Sequence, residues 1–206
     1  FSSQLEIMGT EILKKSIWDS TKDVGNNLPV TVVKVKPITN TDKKQQTVSI
    51  PDTTSKPDDK EKQTEEEIHR LVNVERKKYG LPSLSYDLKL TNIAKLHSYD
   101  MFERDYYAHE SPEGKGASDR GLAVGYNCKI HVSPTSYYEG IGENLSKYSS
   151  TSLVFWESPE SIAKRTVDGW MNSPPHKENI LTDHYQQEGI GVKIGVFDIY
   201  ATQNFC

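Results

Sequence analysis

The sequence predicts an α+β domain over residues 64–206, and three observations support this fold class. Apolar residues at helical spacing come first in this part of the chain, and strictly alternating apolar residues come last. A parallel βαβ fold would interleave the two patterns. Phe1 and Trp18 are the only aromatic residues before Tyr79. The chain is therefore expected to form one globular domain at its C-terminal end, after a thinly folded N-terminal third.

Two short elements are predicted within residues 1–37. Residues 5–18 carry apolar side chains at helical spacing with charged residues between them, which predicts a short amphipathic helix. Residues 30–35 are rich in β-branched side chains, and Pro37 ends this candidate strand. The apolar stripe of the helix would pack on the main domain, contact a partner or lie beside a membrane anchor.

Residues 38–63 are predicted to form a flexible linker. The segment has few aliphatic residues and no aromatic residues, and it contains Pro51 and Pro57. Such a segment cannot bury enough apolar surface to offset the entropy of ordering its backbone. Its content of Thr, Ser and Pro is typical of an extracellular spacer.

Four helices are predicted in the main domain from their terminal residues. The first begins at Thr64, which opens the capping box TEEE, and ends before Gly80. The second begins after Asp87, and the third and fourth begin after Ser158 and Ser173, because these residues can cap the first free amide groups of a helix. The first three helices carry apolar residues at helical spacing, and the fourth has Pro174 in its first turn and ends near Leu181.

The end of the chain is predicted to form an antiparallel hairpin. Residues 189–196 and 197–205 carry alternating apolar side chains, and the turn is expected near Gly195. Short strands are expected between the helices and this hairpin. Helices followed by a hairpin complete the α+β pattern.

Cys128 and Cys206 are the two cysteines of the chain. Two cysteines are too few for a cysteine-rich zinc site, so we favour one disulfide between them, with two buried thiols as the alternative. A disulfide would place the protein in an oxidising compartment. The chain opens with Phe1 rather than Met, which fits either removal of a targeting segment or trimming of the chain.

Composition excludes two classes of partner. No stretch approaches 18 apolar residues, so no transmembrane helix is expected. The formal net charge is −4 at pH 7, and no dense stripe of Lys and Arg offsets it. Nucleic acid is therefore not expected as a partner.

Three of the six histidines border loops or helix ends rich in Gly, Pro, Ser or Asp, where functional residues concentrate. They are His109, His176 and His184. His69 is expected on the exposed face of the first helix, and His97 is expected in the core because it lies on the apolar stripe of the second. Spacing alone defines no metal site, since there is no His-Glu-x-x-His motif.

Six segments occur in an order that resembles the CAP superfamily. This family comprises the cysteine-rich secretory, antigen 5 and pathogenesis-related class 1 proteins, and its domain is also called SCP. The resemblance covers about residues 64–206, and the form SPxHxxNIL is similar to the prokaryotic branch. The matching segments are LVNVER (71–76), LPSL (81–84), HESP (109–112), GENL (142–145), WMNSPPHKENIL (170–181) and ATQNF (201–205).

The resemblance implies a three-layer α-β-α sandwich with one open cleft. Members of the family often place two His and two Glu in that cleft. His109 matches the first His, Glu143 matches the first Glu, and His184, in HYQQ, matches the second His. These three side chains are therefore expected to converge.

The second Glu of the family pattern is missing from this chain. The position three residues after Trp170 is Ser173, which cannot act as a carboxylate. His176 and Glu178 lie nearby in the sequence, and either is a candidate to replace the acid in part, although neither matches the motif.

A divalent metal such as Zn²⁺ is one candidate occupant of this cluster. Two neutral imidazoles suit zinc, with Glu143 as a third ligand or as the base for a bound water. His109, His184 and either Glu143 or His176 would supply the three protein ligands of a catalytic site. The alternative is a hydrogen-bonded polar network that ties the loops to the core.

Three functions follow as hypotheses. The first is an extracytoplasmic or cell-surface protein whose cleft binds a small lipid-like ligand, a peptide or another surface protein. The second is a metal-dependent hydrolase of peptide or cell-envelope substrates that uses His109, Glu143 and His184. The third is a structural part of a surface assembly docked through residues 5–18. A membrane tether outside this chain would be compatible with each.

Overall fold

A four-stranded sheet is the middle layer of the fold in the computed structural model, which describes residues 57–151 and 153–206. The strands of this sheet are β1 (Ser85–Tyr86), β4 (Gly142–Ser149), β5 (Gln187–Ile194) and β6 (Asp198–Phe205). Their order across the sheet is β1-β5-β6-β4. Strand β1 pairs parallel with β5, and the other neighbouring strands are antiparallel.

Helices cover both faces of this sheet. They are α1 (Pro57–Lys78), α2 (Leu88–Glu103), α3 (Ala117–Ala123), α4 (Pro159–Met171) and α5 (Pro174–Leu181). Helix α2 packs on β5 and β6 from one side, and α3 contacts α2 and β4. Helix α1 packs on β5 from the other side, together with α4 and α5. The expected α+β fold with three α-β-α layers is confirmed.

The contact between α2 and the sheet depends on two glycines of β5. A Cβ atom on Gly189 would lie 2.1 Å from the backbone nitrogen of Thr91, and one on Gly191 would lie 2.1 Å from that of Lys95. Any side chain at these positions would therefore push α2 away from the sheet. The glycines set how closely α2 approaches the strands.

The main apolar core lies on the opposite face, beneath α1, α4 and α5. Trp170 is its largest fully buried side chain, and its indole nitrogen donates a hydrogen bond to the carbonyl of Leu145, at 2.9 Å. This bond satisfies the polar atom of the ring inside the core. Other members of this core are Ile68, Val72, Ile162, Ile180, Ile190 and Phe205.

The first helix begins earlier than predicted. It starts at Pro57, so Thr64 lies inside α1, where its hydroxyl donates to the carbonyl of Lys60, and the expected capping box is wrong. The charged residues assigned to the linker make long-range contacts: the Glu61 carboxylate accepts from the backbone nitrogen of Ile194, at 3.0 Å. Composition could not reveal this contact, because its partner lies far away in the sequence.

Several other local predictions are confirmed. The Asp87 carboxylate accepts from two backbone amides at the start of α2, and the Ser158 hydroxyl accepts from Ser161 at the start of α4. Gly80 has a φ of 73° just after α1, a conformation that favours glycine. Strands β5 and β6 form the expected antiparallel hairpin, whose turn includes Gly195.

A separate two-stranded sheet is formed by β2 (Lys129–Ser133) and β3 (Ser136–Glu139). The expected disulfide between Cys128 and Cys206 is present, with the two Cα atoms 5.7 Å apart. It joins the residue before β2 to the residue after β6. The small hairpin is thereby attached covalently to the main sheet.

Some predictions lie outside the described residues. These are the helix over residues 5–18, the strand over residues 30–35 and the linker up to residue 56. Within residues 57–151 and 153–206, no helix is both long enough and apolar enough to cross a membrane.

Replacing Gly189 by Ala should destabilise the protein by about 2–3 kcal/mol, because the added methyl group meets the backbone of α2. Gly169→Ala is the matched control, since no atom lies within 4 Å of the added methyl in α4, and it should be neutral or stabilising by up to about 1 kcal/mol. Urea unfolding measures both. Equal stability of the two variants would show that α2 does not pack this closely.

Removing the disulfide in a Cys128→Ala/Cys206→Ala variant should lower the free energy of unfolding by about 4 kcal/mol, because the bond closes a long loop in the unfolded chain. Urea unfolding with and without a reductant measures this. Reductant should destabilise the wild type and leave the double variant unchanged. A wild type that is insensitive to complete reduction would contradict the expectation.

Candidate functional site

The site is built around the Glu143 carboxylate of β4. Only 5% of this side chain is exposed. One oxygen, Oε1, lies 2.9 Å from Nδ1 of His109, and the other, Oε2, accepts a hydrogen bond from Arg120 at 2.5 Å. The expected approach of His109 to Glu143 is therefore present in the structure.

His109 lies in the loop between α2 and α3, and 58% of its side chain is exposed. Its Nδ1 atom donates to the carboxylate of Glu143, which fixes the ring orientation. The other ring nitrogen, Nε2, points away from that carboxylate. This arrangement presents an oriented imidazole at the surface, supported by a buried acid.

Arg120 of α3 supplies the positive charge that a buried carboxylate requires. Besides binding Glu143, its guanidinium donates to the backbone carbonyls of His109 and Lys115, at 3.0 and 2.8 Å. One side chain thus neutralises the acid and positions the loop that carries the imidazole. Sequence reasoning missed Arg120, because the seven-residue helix α3 shows too little periodicity to be recognised.

His97 of α2 lies beneath the site. It is buried as predicted, its Nε2 donates to the carbonyl of Ala108, and the same nitrogen is 4.0 Å from Oε1 of Glu143. Burial lowers the pKa of His97, Glu143 opposes this shift, and Arg120 adds to it. The net direction is downward, which favours a neutral imidazole behind the carboxylate.

Helix α5 is bound to β4 next to Glu143. The amide nitrogen of Asn144 donates to the backbone carbonyl of His176, and Asn179 donates to the side chain of Asn144 and to the carbonyl of Glu143. The His176 side chain is half-buried, and its pKa is lowered by burial and, to a lesser extent, by His109. The smaller cause is repulsion between the positive charges of the two imidazoles when both are protonated.

His184 has different neighbours from those expected. Its ring stacks on Tyr138 of β3, with ring centroids 3.9 Å apart and planes 10° apart, and it also contacts Tyr185. Its Nδ1 atom lies 3.7 Å from Asp183. Tyr138 belongs to the β2–β3 hairpin, which the disulfide attaches to the main sheet. No local sequence pattern predicts that it pairs with His184.

The remaining candidates do not complete a carboxylate pair. Ser173 is the N-cap of α5, and its side chain makes no capping hydrogen bond. Glu178 is exposed on α5. Within the part of the chain that the structure describes, no hydrogen bond or ion pair joins either side chain to His109 or Glu143.

The described residues contain no group of three or more His, Cys, Asp or Glu that could hold a metal ion. Glu143 uses its oxygens for His109 and Arg120, and the guanidinium would repel a cation at Oε2. Glu143 is therefore engaged as a hydrogen-bonding partner of His109 and as an ion-pair partner of Arg120. His109 and His176 remain as two imidazole donors, one fewer than the three protein ligands of a catalytic zinc site.

A second His–Glu pair joins α1 to the sheet. His69 donates from Nδ1 to the fully buried Glu188 of β5, at 2.6 Å, so the expectation of an exposed His69 is wrong. The second oxygen of Glu188 accepts from Gln203 of β6, also at 2.6 Å. The alternating apolar residues of β5 could not predict this pair, because a charged residue such as Glu188 in a strand is usually expected to face solvent.

The described residues form a three-layer sandwich with an oriented His–Glu pair at its surface. The sequence model of the cysteine-rich secretory protein family, CAP, matches residues 69–205. The chain therefore belongs to the CAP family, in agreement with the motifs of the sequence.

The most similar relatives include bacterial proteins. The chain is 32% identical to the uncharacterized protein YkwD of Bacillus subtilis over 62% of this chain and 41% of that protein. It is 32% identical to the uncharacterized membrane protein YlbC of the same species over 69% of this chain and 34% of that protein. The chain thus spans less than half the length of either relative.

A solved structure supports both the fold and the bacterial branch. It is an extracellular protein with an SCP domain from Bacillus anthracis, 27% identical, with a TM-score of 0.54. The match covers 76% of this chain and 44% of that one. The similar structure is that of an extracellular protein, which suggests an extracytoplasmic location for this chain.

His97 should make stability depend on pH. Because its pKa is lowered in the folded protein, the unfolded chain binds a proton more readily below about pH 6.5, and folding stability falls as the pH falls through this region. His97→Gln should therefore lose less stability between pH 7.5 and 5.5 than the wild type does. Urea unfolding at both pH values measures this difference.

The exposed His131 provides the control for this measurement. His131→Gln should retain the pH dependence of the wild type, and His176 should maintain part of that dependence in both variants, since its pKa is lowered too. An identical loss of stability in the wild type and in His97→Gln would contradict the assignment.

Proposed function

We propose that this chain is an extracytoplasmic binding domain whose cleft takes a peptide or a small lipid-like ligand at the exposed edge of His109. The observation that carries this proposal is the buried Glu143–Arg120 ion pair behind a largely exposed imidazole. A site of this kind is preorganised, because the imidazole is oriented before a ligand arrives. Its exposed nitrogen can accept a hydrogen bond from a ligand or bind a metal.

A divalent metal is a proposed component of the site. His109 and His176 would be the protein ligands, and Glu143 would orient His109 from behind. Such a metal would supply a Lewis acid that draws a carboxylate or carbonyl oxygen of the ligand towards the cleft. Two imidazoles provide a weaker site than three protein ligands, which suits reversible ligand binding.

A metal-dependent hydrolase is the alternative, and the contacts of Glu143 make it less favoured. A carboxylate that activates a bound water for attack on a substrate needs an oxygen that the substrate can approach, whereas only 5% of the Glu143 side chain is exposed and it is paired with Arg120. The third hypothesis, docking in a surface assembly, depends on residues 5–18, which lie outside the described residues.

Calorimetry with Zn²⁺ on the full chain tests the metal component. The wild type should bind one ion, and His109→Ala and His176→Ala should each weaken binding at least tenfold. Glu143→Gln should weaken it by about 10–100-fold, as for the loss of an outer residue that orients a metal ligand. His131→Ala should bind as the wild type does. Equal binding by the wild type and a His109→Ala/His176→Ala variant would overturn the metal site.

Native mass spectrometry of the protein as purified tests the binding function separately. A peptide or lipid mass that accompanies the wild type and is lost in His109→Ala would support the proposed cleft. Hydrolysis of a peptide library by the wild type, abolished in Glu143→Gln, would favour the hydrolase instead.

A further inference from the structure

Asn204 of β6 is a fully buried polar residue without a hydrogen-bonding partner. Its side chain is 0% exposed, and within the described part of the chain neither Oδ1 nor Nδ2 has a partner. A buried amide left in this state is destabilising, because its groups lose their hydrogen bonds to water and gain none in the protein. The great majority of buried polar side chains are bonded to protein or to ordered water, so this one requires an explanation.

The strand register places this amide directly behind the candidate site. Asn204 pairs with Glu143 of β4 on one side and with Gly189 of β5 on the other. Directly opposed residues of antiparallel strands point to the same face of the sheet. That face is the one beneath α2, because Gly189 lies against Thr91 and Glu143 lies 4.0 Å from His97.

Two buried amide residues on the opposite face of these strands, Asn144 and Gln203, do have partners. Gln203, the preceding residue of β6, donates to Glu188 and accepts from Asn144. Asn144 is also bonded to the backbone of His176. Of the buried amide side chains of these paired strands, the unsatisfied one, Asn204, lies on the face that carries Glu143.

Glu143 can accept another hydrogen bond on this face. A carboxylate offers about four acceptor positions, and His109 and Arg120 each donate to one oxygen. The amide of Asn204 presents both a donor and an acceptor beside it. A ligand that satisfies both residues must donate to oxygen atoms and also accept from nitrogen.

We propose that Asn204 and Glu143 bind one buried water molecule between β6 and α2. Water meets the requirement, because it can donate to the Glu143 carboxylate and to Oδ1 of Asn204 while it accepts from Nδ2. A metal cation cannot accept a hydrogen bond from Nδ2, and an apolar ligand can satisfy neither group. Buried waters typically make about three hydrogen bonds, which matches this number of partners.

The water makes Asn204 a positioning residue for the cleft. It ties the Glu143 carboxylate to β6, and that carboxylate in turn orients His109. The effect on ligand or metal binding rests on the proposed function, whereas the water site itself does not. The two can therefore fail separately.

Nuclear magnetic resonance on the ¹⁵N-labelled full chain tests the water directly. The side-chain amide of Asn204 is assigned through its bonded carbons in ¹³C,¹⁵N-labelled wild type, and it should show a cross-relaxation peak to a long-lived water. No such peak at the Asn204 amide would overturn the proposal, whether or not an Asn204→Leu variant folds.

The stability of Asn204→Leu gives an independent result. Leu has a similar volume and no polar atoms, so it should be neutral or stabilising if the amide of Asn204 is simply unsatisfied. If the water is bound, the substitution removes a donor to Glu143, and the urea midpoint should fall. A midpoint equal to or above that of the wild type would overturn the proposal.

Calorimetry with Zn²⁺ separates the positioning role from the proposed function. Asn204→Leu should weaken zinc binding several-fold while His131→Ala leaves it unchanged. A wild type that binds no zinc would defeat the metal component, and the cross-relaxation peak would still support the water. Zinc affinity unchanged in a folded Asn204→Leu variant would overturn the positioning role.

Discussion

The buried carboxylate of Glu143 is the constraint on which the arrangement of the candidate site depends. An isolated charge in this position would cost several kcal/mol, so the fold must bring a cation to it. Arg120 meets that need, and the same guanidinium binds the carbonyls of the loop that carries His109. The guanidinium that neutralises Glu143 therefore also joins β4 and α3 to the loop that carries His109.

Two networks of polar side chains lie on opposite faces of the sheet, because successive side chains of a strand point to opposite faces. Asn144 and Gln203 face α1, α4 and α5 and lead to the Glu188–His69 pair, whereas their neighbours Glu143 and Asn204 face α2. Adjacent residues of one strand therefore serve different sides of the molecule. Because β4 and β6 are paired residue by residue, a displacement of either strand would disturb both networks.

Local features of the fold could be predicted from the sequence, because their causes lie within a few residues. The Asp87 and Ser158 caps bond to amides two or three residues away, and the β5–β6 hairpin follows from alternation. The start of α1 could not be predicted, because the Glu61 carboxylate accepts a hydrogen bond from the backbone of Ile194. These two residues are far apart in the sequence and meet only in the folded chain. Composition alone therefore assigned a structured segment to the linker.

The order of the motifs in the sequence by itself predicted the family and the proximity of His109 to Glu143. The cysteine number favoured the disulfide, and the structure decided it against two buried thiols. Only the tertiary structure decided that Arg120 neutralises Glu143 and that His184 stacks on Tyr138. These contacts join residues from different elements. The Arg120–Glu143 pair follows from charge compensation and the His184–Tyr138 pair from packing, so no local pattern of residues predicts either contact.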